Sequence, residues 1–353
     1  MKTYAICVLA GDGIGPEVTA AAVAVLAGAG AAHGFAIDVD EQPFGGAAID
    51  ALGNPFPAVV EEACRRADAV LLGAVGGPRW ERDGPRPEEG IMRLRKALDV
   101  YANLRPIRRW YPGATSPLRA ELIQGVDIMI VRELTGGLYF GERGRTEGGA
   151  YDTLAYQDHE IRRILRTGFR LARERRGHLT SVDKANVLET SRLWRELAEE
   201  MALEFPDVHL EHQLVDSMTM KLAELPASFD VVVTENLFGD ILSDLAASLA
   251  GGIGVAPSAS LADGGPGVFE PIHGTAPDIA GTGRANPVGA CLSVAMLLRE
   301  IGEAAAAEDV ERAVVAVLAS GPVTPDLGGS ATTDEVAGAI AHRLAETVGG
   351  GRT

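Results

Sequence analysis

The sequence predicts an α/β protein of two domains, one of them split by insertion of the other. Three observations predict it. Over residues 4–74, short apolar runs alternate with alanine-rich or amphipathic stretches, the pattern of parallel strands with helices between them. The middle of the chain changes character, with extended segments joined by short connections. Beyond residue 287, helical periodicity returns in three long segments. The boundaries fall near residues 100 and 250, so that 1–99 with 251–353 make one domain and 100–250 the inserted one.

The elements follow in order. Tyr4–Ala10 reads as a strand, GDGIGPE as a tight turn and Glu17–Ala32 as a helix. Phe35–Phe44 is a second strand, Pro57–Arg66 a helix, Ala69–Ala74 a strand apolar on both faces and Ile91–Leu98 a short helix. Asn103–Arg109, Val126–Glu133, Gly137–Glu142 and Tyr151–Gln157 read as strands of an antiparallel region. His159–Glu174 and Thr190–Leu203 carry apolar residues at helical spacing, and Leu179–Val182, Leu210–Val215 and Phe229–Thr234 are strands. The helix LFGDILSDLAASLA stops at Gly251-Gly252, Ser258–Asn286 is rich in loop residues, and helices follow near Pro287–Glu303, Glu308–Ala319 and Thr333–Val348.

Composition narrows the function. Hydrophobic residues at 46% and charged residues at 23% are those of a soluble globular protein. A formal net charge of −17 argues against nucleic acid, which needs basic patches, and obliges an anionic substrate to find local arginines. The three cysteines, Cys7, Cys64 and Cys291, are far apart in apolar contexts and lack zinc-site spacing, as for reduced thiols in the cytoplasm. The start MKTYAICVLAGDG is not a secretory signal, and the apolar run Ala20–Ala32 is too short and glycine-broken to span a bilayer.

Several residues bear on chemistry. Gly11–Glu17 departs from the dinucleotide fingerprint, which needs a third glycine where Pro16 stands, so the loop reads as a glycine turn permitting close approach. Asp240 and Asp244 lie one helical turn apart on one face. Like charges at that spacing cost a few tenths of a kcal/mol, roughly, which a hard cation such as Mg²⁺ or Mn²⁺ would remove; a solvated acidic face is the alternative. Asp216 ends the strand LEHQLVD, and Arg132 and Glu133 end the apolar strand VDIMIV. Arg95 and Arg105 are further candidates to grip carboxylates, although any one of these arginines is by itself more often a surface residue. Lys184 follows an apolar strand, as a general base can, although a lysine there is by itself more often a surface residue, and Tyr139 sits in GGLYFGE, where a tyrosine is usually of the core or a hairpin. His273 and Asp278 lie in FEPIHGTAPDIAG, a small-residue loop that a cofactor could approach, with the aspartate able to hold a ribose or merely to cap a helix.

Taken together, GDGIGPEV, LLGAVGGPRW, RKALDVYANLRP, VRELTGGLYFGERG, TSVDKANVLETSRLW, EHQLVDSMTM, VTENLFGDILSDLAA, FEPIHGTAPDIAG and PDLGGSATT resemble the isocitrate and isopropylmalate dehydrogenase family, in the family's order over most of the chain. The resemblance implies that family's own two-domain α/β fold, not a Rossmann fold. It implies oxidation and decarboxylation of a 3-substituted malate with NAD and Mg²⁺ or Mn²⁺, the isopropylmalate branch pointing to 3-isopropylmalate and leucine biosynthesis. By position, Arg95, Arg105 and Arg132 would hold the malate carboxylates, Tyr139 and Lys184 would be the acid–base pair, and Asp216, Asp240 and Asp244 would bind metal. NAD would lie on Glu270, His273, Gly274, Ala276, Asp278 and Asn286. The family shares its sites across a homodimer, so Lys184 and Asp216 would serve the partner subunit.

One stretch departs from the family. Glu88, Ile91, Met92 and Val187 would surround the C3 substituent, and enzymes of the isopropylmalate branch commonly carry two leucines where Ile91 and Met92 stand. The pocket stays apolar, which disfavours a third carboxylate, while its shape suits other alkyl or aryl groups.

Overall fold

A computed structural model describes residues 1–80, 84–111, 113 and 116–349. Two units emerge, Met1–Leu98 with Trp110–Thr115 and Gly252–Thr353, and Asp99–Arg109 with Ser116–Gly251.

The first unit begins with β1 (Lys2–Gly11), α1 (Gly15–His33), β2 (Phe35–Glu41), α2 (Gly46–Leu52), α3 (Ala58–Arg66), β3 (Ala69–Ala74) and α4 (Pro87–Ala97). The second holds β4 (Ala102–Arg108), α5 (Ala120–Ile123), β5 (Asp127–Glu133), β6 (Arg143–Thr146), β7 (Gly149–Asp152), α6 (Asp158–Glu174), β8 (His178–Asp183), α7 (Glu189–Ala202), β9 (His209–Leu214), α8 (Val215–Glu224), β10 (Val231–Thr234) and α9 (Asn236–Ala250). The chain then returns to the first unit as β11 (Pro257–Leu261), β12 (Gly267–Pro271), α10 (Val288–Glu300), α11 (Ala304–Ser320) and α12 (Thr333–Gly349).

In the first unit the strands run β2-β1-β3-β12-β11, parallel except for the β11–β12 pair. Ile6, Val8, Leu71 and Phe269 from the sheet meet Val25 and Leu26 of α1 and Leu292 and Val294 of α10 in one core. Helix α1 is long and apolar enough to cross a membrane by length and composition, but half of its apolar window is buried inside the protein. The turn between β1 and α1 is as tight as its glycines suggest. Gly13 has φ +60°, and a Cβ there would lie 2.2 Å from the Thr275 carbonyl oxygen. Asp12 fastens the same turn by accepting N–H groups from Gly46, Ala47 and Gly76, each at 2.9 Å.

In the second unit the order is β4-β5-β10-β8-β9, with only β4–β5 antiparallel; β6 and β7 form a separate hairpin. Helix α6 opens with a capping box between Gln157 and Glu160 and buries Ile161, Ile164, Leu165, Phe169 and Ala172.

The mixed α/β architecture is the one expected, with local corrections. Gly137–Glu142 is not a strand. The Glu133 carboxylate accepts the N–H groups of Thr135 and Gly136, both at 2.9 Å, and curls the chain into a 3₁₀ turn at Gly137–Tyr139. The hairpin strands lie at β6 and β7 instead. Asp216 does not end a strand but sits in the first turn of α8. The span Ser258–Asn286 hides β12 and all but the first residue of β11, short segments interrupted by proline, alanine and glycine that are held by their neighbours in the sheet.

Candidate active site

Most of the expected catalytic groups belong to the second unit. Strand β10 ends at Thr234, and Glu235 caps α9 by accepting the Phe238 N–H at 2.7 Å. One and two turns on, α9 presents Asp240 and Asp244. The antiparallel pairing of β4 with β5 sets Arg105 opposite Ile130, and Asn103 opposite Arg132. Arg132, only 2% exposed, donates to Asn236 Oδ1 at 3.1 and 2.8 Å and to Asp240. Glycine at 239 makes room, because a Cβ there would lie 2.6 Å from Arg132 Cγ. Arg105 donates to Ser243 at 2.6 Å and Asn103 at 2.7 Å, and its guanidinium lies 3.3 Å from Asp244 and 3.6 Å from Asp240. The Tyr139 hydroxyl donates to Asp240 Oδ2 at 2.9 Å.

These contacts set the protonation states. Burial, followed by the charge of Asp240, pushes the Tyr139 phenol above its usual range, so it is a protonated donor at neutral pH. Burial also pushes up Glu133, against bonds from Thr135, Gly136 and Tyr156. Asp244 is raised by lost hydration, pulled down by Arg105 and raised further by Asp240.

A second cluster forms where β8 ends. Lys184 Nζ donates to Asp216 Oδ1 at 2.7 Å, which holds Asp216 below the ordinary carboxylate range. The turn presenting Lys184 is firmly held. Its backbone N–H donates to Ser191 Oγ at 3.0 Å, and Asp183, 1% exposed, takes two bonds from Arg195 at 2.9 and 2.8 Å and the Ala185 N–H at 2.9 Å. Asp240 and Asp244 thus fall in one cluster and Asp216 in another. Among the described residues no three His, Cys, Asp or Glu side chains gather as a metal set. Val187, 61% exposed, follows in the turn after Lys184.

The first unit carries the rest. Helix α4 starts at Pro87, so Glu88, Ile91, Met92 and Arg95 share one face at helical spacing. Arg95 lies 3.4 Å from Glu270 on β12, and its buried Nε has no partner among the described residues. In the loop after β12, His273 bonds the Gly274 carbonyl through Nδ1 at 2.9 Å, while Nε2 is buried without a partner among the described residues. Burial pushes His273 below the usual imidazole range, which keeps it neutral. A Cβ on Gly274 would meet nothing within 4 Å, Ala276 has φ +38°, and Asp278 is exposed. Asn286 is engaged by the fold: its amide donates to Asp326 at 2.9 Å and accepts the Val288 N–H at 3.0 Å.

With its Nδ1–H given to the Gly274 carbonyl, neutral His273 leaves Nε2 as an orphaned acceptor, which beside the open backbone at Gly274 suits a ligand that brings a hydrogen-bond donor. The oxygen-only donors Asp240 and Asp244 suit a hard divalent cation. Sequence reasoning passed over Asn236, Ser243, Asp183, Ser191 and Arg195, which hold the expected groups in place. Glu235 and Asn236 carried a usable signal, as polar residues opening a helix.

The sequence model of the isocitrate/isopropylmalate dehydrogenase family matches residues 5–340. A 3-isopropylmalate dehydrogenase of Streptococcus thermophilus (strain CNRZ 1066) is 53% identical over 344 residues, covering 97% of this chain and 100% of that protein. Another, of Geobacillus kaustophilus, is 55% identical over 339 residues, covering 94% and 91%. The crystal structure of isocitrate dehydrogenase from Methylococcus capsulatus aligns with a TM-score of 0.88 at 37% identity, covering 97% of this chain and 99% of that one. A β-decarboxylating dehydrogenase from Thermococcus kodakarensis aligns at 0.81 and 39%, covering 98% and 97%.

Proposed function

The chain belongs to the isocitrate/isopropylmalate dehydrogenase family, and from that premise we propose that it oxidises 3-isopropylmalate with NAD and releases CO₂, giving 4-methyl-2-oxopentanoate for leucine biosynthesis. The observation that carries the reading is the cluster in which Arg105, Arg132 and Tyr139 converge on the carboxylates of Asp240 and Asp244. It puts two cations suited to substrate carboxylates, a protonated phenol and two oxygen ligands on neighbouring elements of one unit.

Asp240 and Asp244, with Asp216 of a partner subunit, would hold Mg²⁺ or Mn²⁺, and the Glu270–Asn286 segment would hold NAD. When bound, the cation would supply Lewis acidity and the nicotinamide would supply a hydride acceptor. Arg105 and Arg132, with Arg95, bind and orient the two carboxylates of the malate unit. Lys184, as the neutral amine that a nearby divalent cation would favour, would take the proton from the C2 hydroxyl as the alcohol is oxidised. Tyr139, held protonated by burial and by Asp240, returns a proton to the carbon that has lost CO₂. A homodimer with shared sites is supported by the pairing of Lys184 with Asp216 within one chain, apart from the Asp240 cluster. We read the enzyme as cytoplasmic.

The α4 face of Glu88, Ile91, Met92 and Arg95 favours an apolar C3 group. It offers no cation to a third carboxylate beyond Arg95, which the malate unit engages. A second reading, the same chemistry on another apolar 3-substituted malate, is favoured by the unbranched Met92. Both are tested by following NADH formation from 3-isopropylmalate, isocitrate and longer alkyl malates with Mg²⁺ present. Absence of turnover with every apolar malate defeats the proposal.

A further inference from the structure

Glu235 is 6% exposed, opens the helix of Asp240 and Asp244, and lines a cavity with Asp183 and Ser191 of the Lys184 turn. One of its carboxylate oxygens caps α9, the helix of Asp240 and Asp244, through the Phe238 N–H. The other, Oε2, is buried and has no hydrogen-bond partner among the described residues. A buried carboxylate oxygen left without a partner is costly, so something polar must meet it. Beside it lies a small cavity of about 10 Å³, room for one water molecule. Its walls include Glu235, Tyr156, Asp183, Thr190 and Ser191. Ser191 Oγ accepts the Lys184 backbone N–H at 3.0 Å, which leaves its own proton to give into the cavity. Asp183 is already taken by Arg195 and Ala185. The Tyr156 hydroxyl is taken too, donating to Glu133 at 3.0 Å and accepting the Asn236 N–H at 3.1 Å.

We propose that one ordered water fills this cavity, bridging Glu235 Oε2 and Ser191 Oγ, and that Glu235 is thereby a positioning residue tying the Lys184 turn to the helix of Asp240 and Asp244. The inference rests on the catalytic roles proposed above for Lys184 and Asp240. In a dimer that shares its sites, the two ends of this link serve different active sites, so the bridge mechanically joins one site to the other.

The link and the reaction are tested separately. A high-resolution crystal structure of the whole protein should show water density within hydrogen-bond reach of both Glu235 and Ser191; an empty cavity overturns the proposal whatever the enzyme does. Loss of the catalytic reading would show differently, as Lys184→Ala retaining turnover. In solution, Glu235→Ser keeps a good helix cap but withdraws the side chain from the cavity. Glu235→Gln keeps both cap and reach. Glu235→Ser and Ser191→Ala should each lower kcat roughly three- to tenfold with KM little changed, as reacting groups drift from register. Glu235→Gln should restore kcat to within about twofold of the native value, and the double variant should be no worse than the poorer single one, because both changes remove the same bridge. Losses that multiply in the double variant, or native kcat in Glu235→Ser, overturn the link.

Discussion

The Tyr139 hydroxyl donates to Asp240 at 2.9 Å, and the same carboxylate takes an N–H of the nearly inaccessible Arg132. Asp240 therefore has two duties, as an expected cation ligand and as the anchor of the acid. Removing it exposes both.

Asp240→Asn should weaken Mg²⁺ or Mn²⁺ binding strongly and also destabilise the fold by roughly 1–3 kcal/mol, because Arg132 loses a charged partner in a buried site. Asp244→Asn, at a position 61% exposed in its side chain, should weaken the metal with little effect on stability. Calorimetric metal titrations and urea unfolding of both variants check this. Equal stability losses would contradict the asymmetry, and full turnover after thorough chelation would remove the metal from the mechanism.

Lys184→Ala and Tyr139→Phe should fail at different steps. Loss of the base should lower turnover about 10²–10⁴-fold. Loss of the phenol should chiefly slow decarboxylation or the final protonation, so the 2-oxo intermediate accumulates. Product analysis in single turnovers separates them, and identical product ratios contradict the assignment. If sites are shared, mixed dimers of the two inactive variants recover one complete site.

Asp278 should favour NAD over NADP, since a 2′-phosphate would meet its like charge, a discrimination of roughly a hundredfold or more. Comparing kcat/KM for the two cofactors tests this, and equal values defeat it.

His273 makes stability fall in mild acid. Burial holds its folded value below the usual imidazole range. The unfolded ring titrates near roughly 6.5, so the unfolded chain gains the proton first. The stability tied to neutral His273 is complete above that pH and is lost as pH falls through the folded value. Urea unfolding between pH 7.5 and 5.5 should show a steeper loss for the native protein than for His273→Gln. Parallel curves would show that His273 is not the group responsible.

Ile91 and Met92 should admit several apolar substituents, each methylene being worth only about 1–3 kcal/mol. Replacing both with leucine should narrow the range toward isopropylmalate. A native enzyme that prefers isocitrate would refute the apolar pocket.

The sequence by itself determined the family, the α/β class and most of the long elements, because strings such as VTENLFGDILSDLAA carry their chemistry and their periodicity together. It also put Asp240 and Asp244 on one helix face, since a four-residue spacing is a local property of a helix. Tertiary structure decided what lies outside that reach. The coupling of Tyr139, Arg132 and Asp240 brings together residues from a turn, a strand and a helix, more than a hundred positions apart at the widest. Strand β11, rich in small residues, and the five-residue β12, which ends on a proline, exist because the sheet pairs their backbones, and Asp216 rides a helix whose start the preceding strand obscured. The Lys184–Asp216 pair and the orphaned Glu235 oxygen were likewise invisible beforehand. Periodicity reports which face a side chain takes along its own element. Only the packing of elements fixes which charges meet, which polar atoms lose water and which of those are left without a partner.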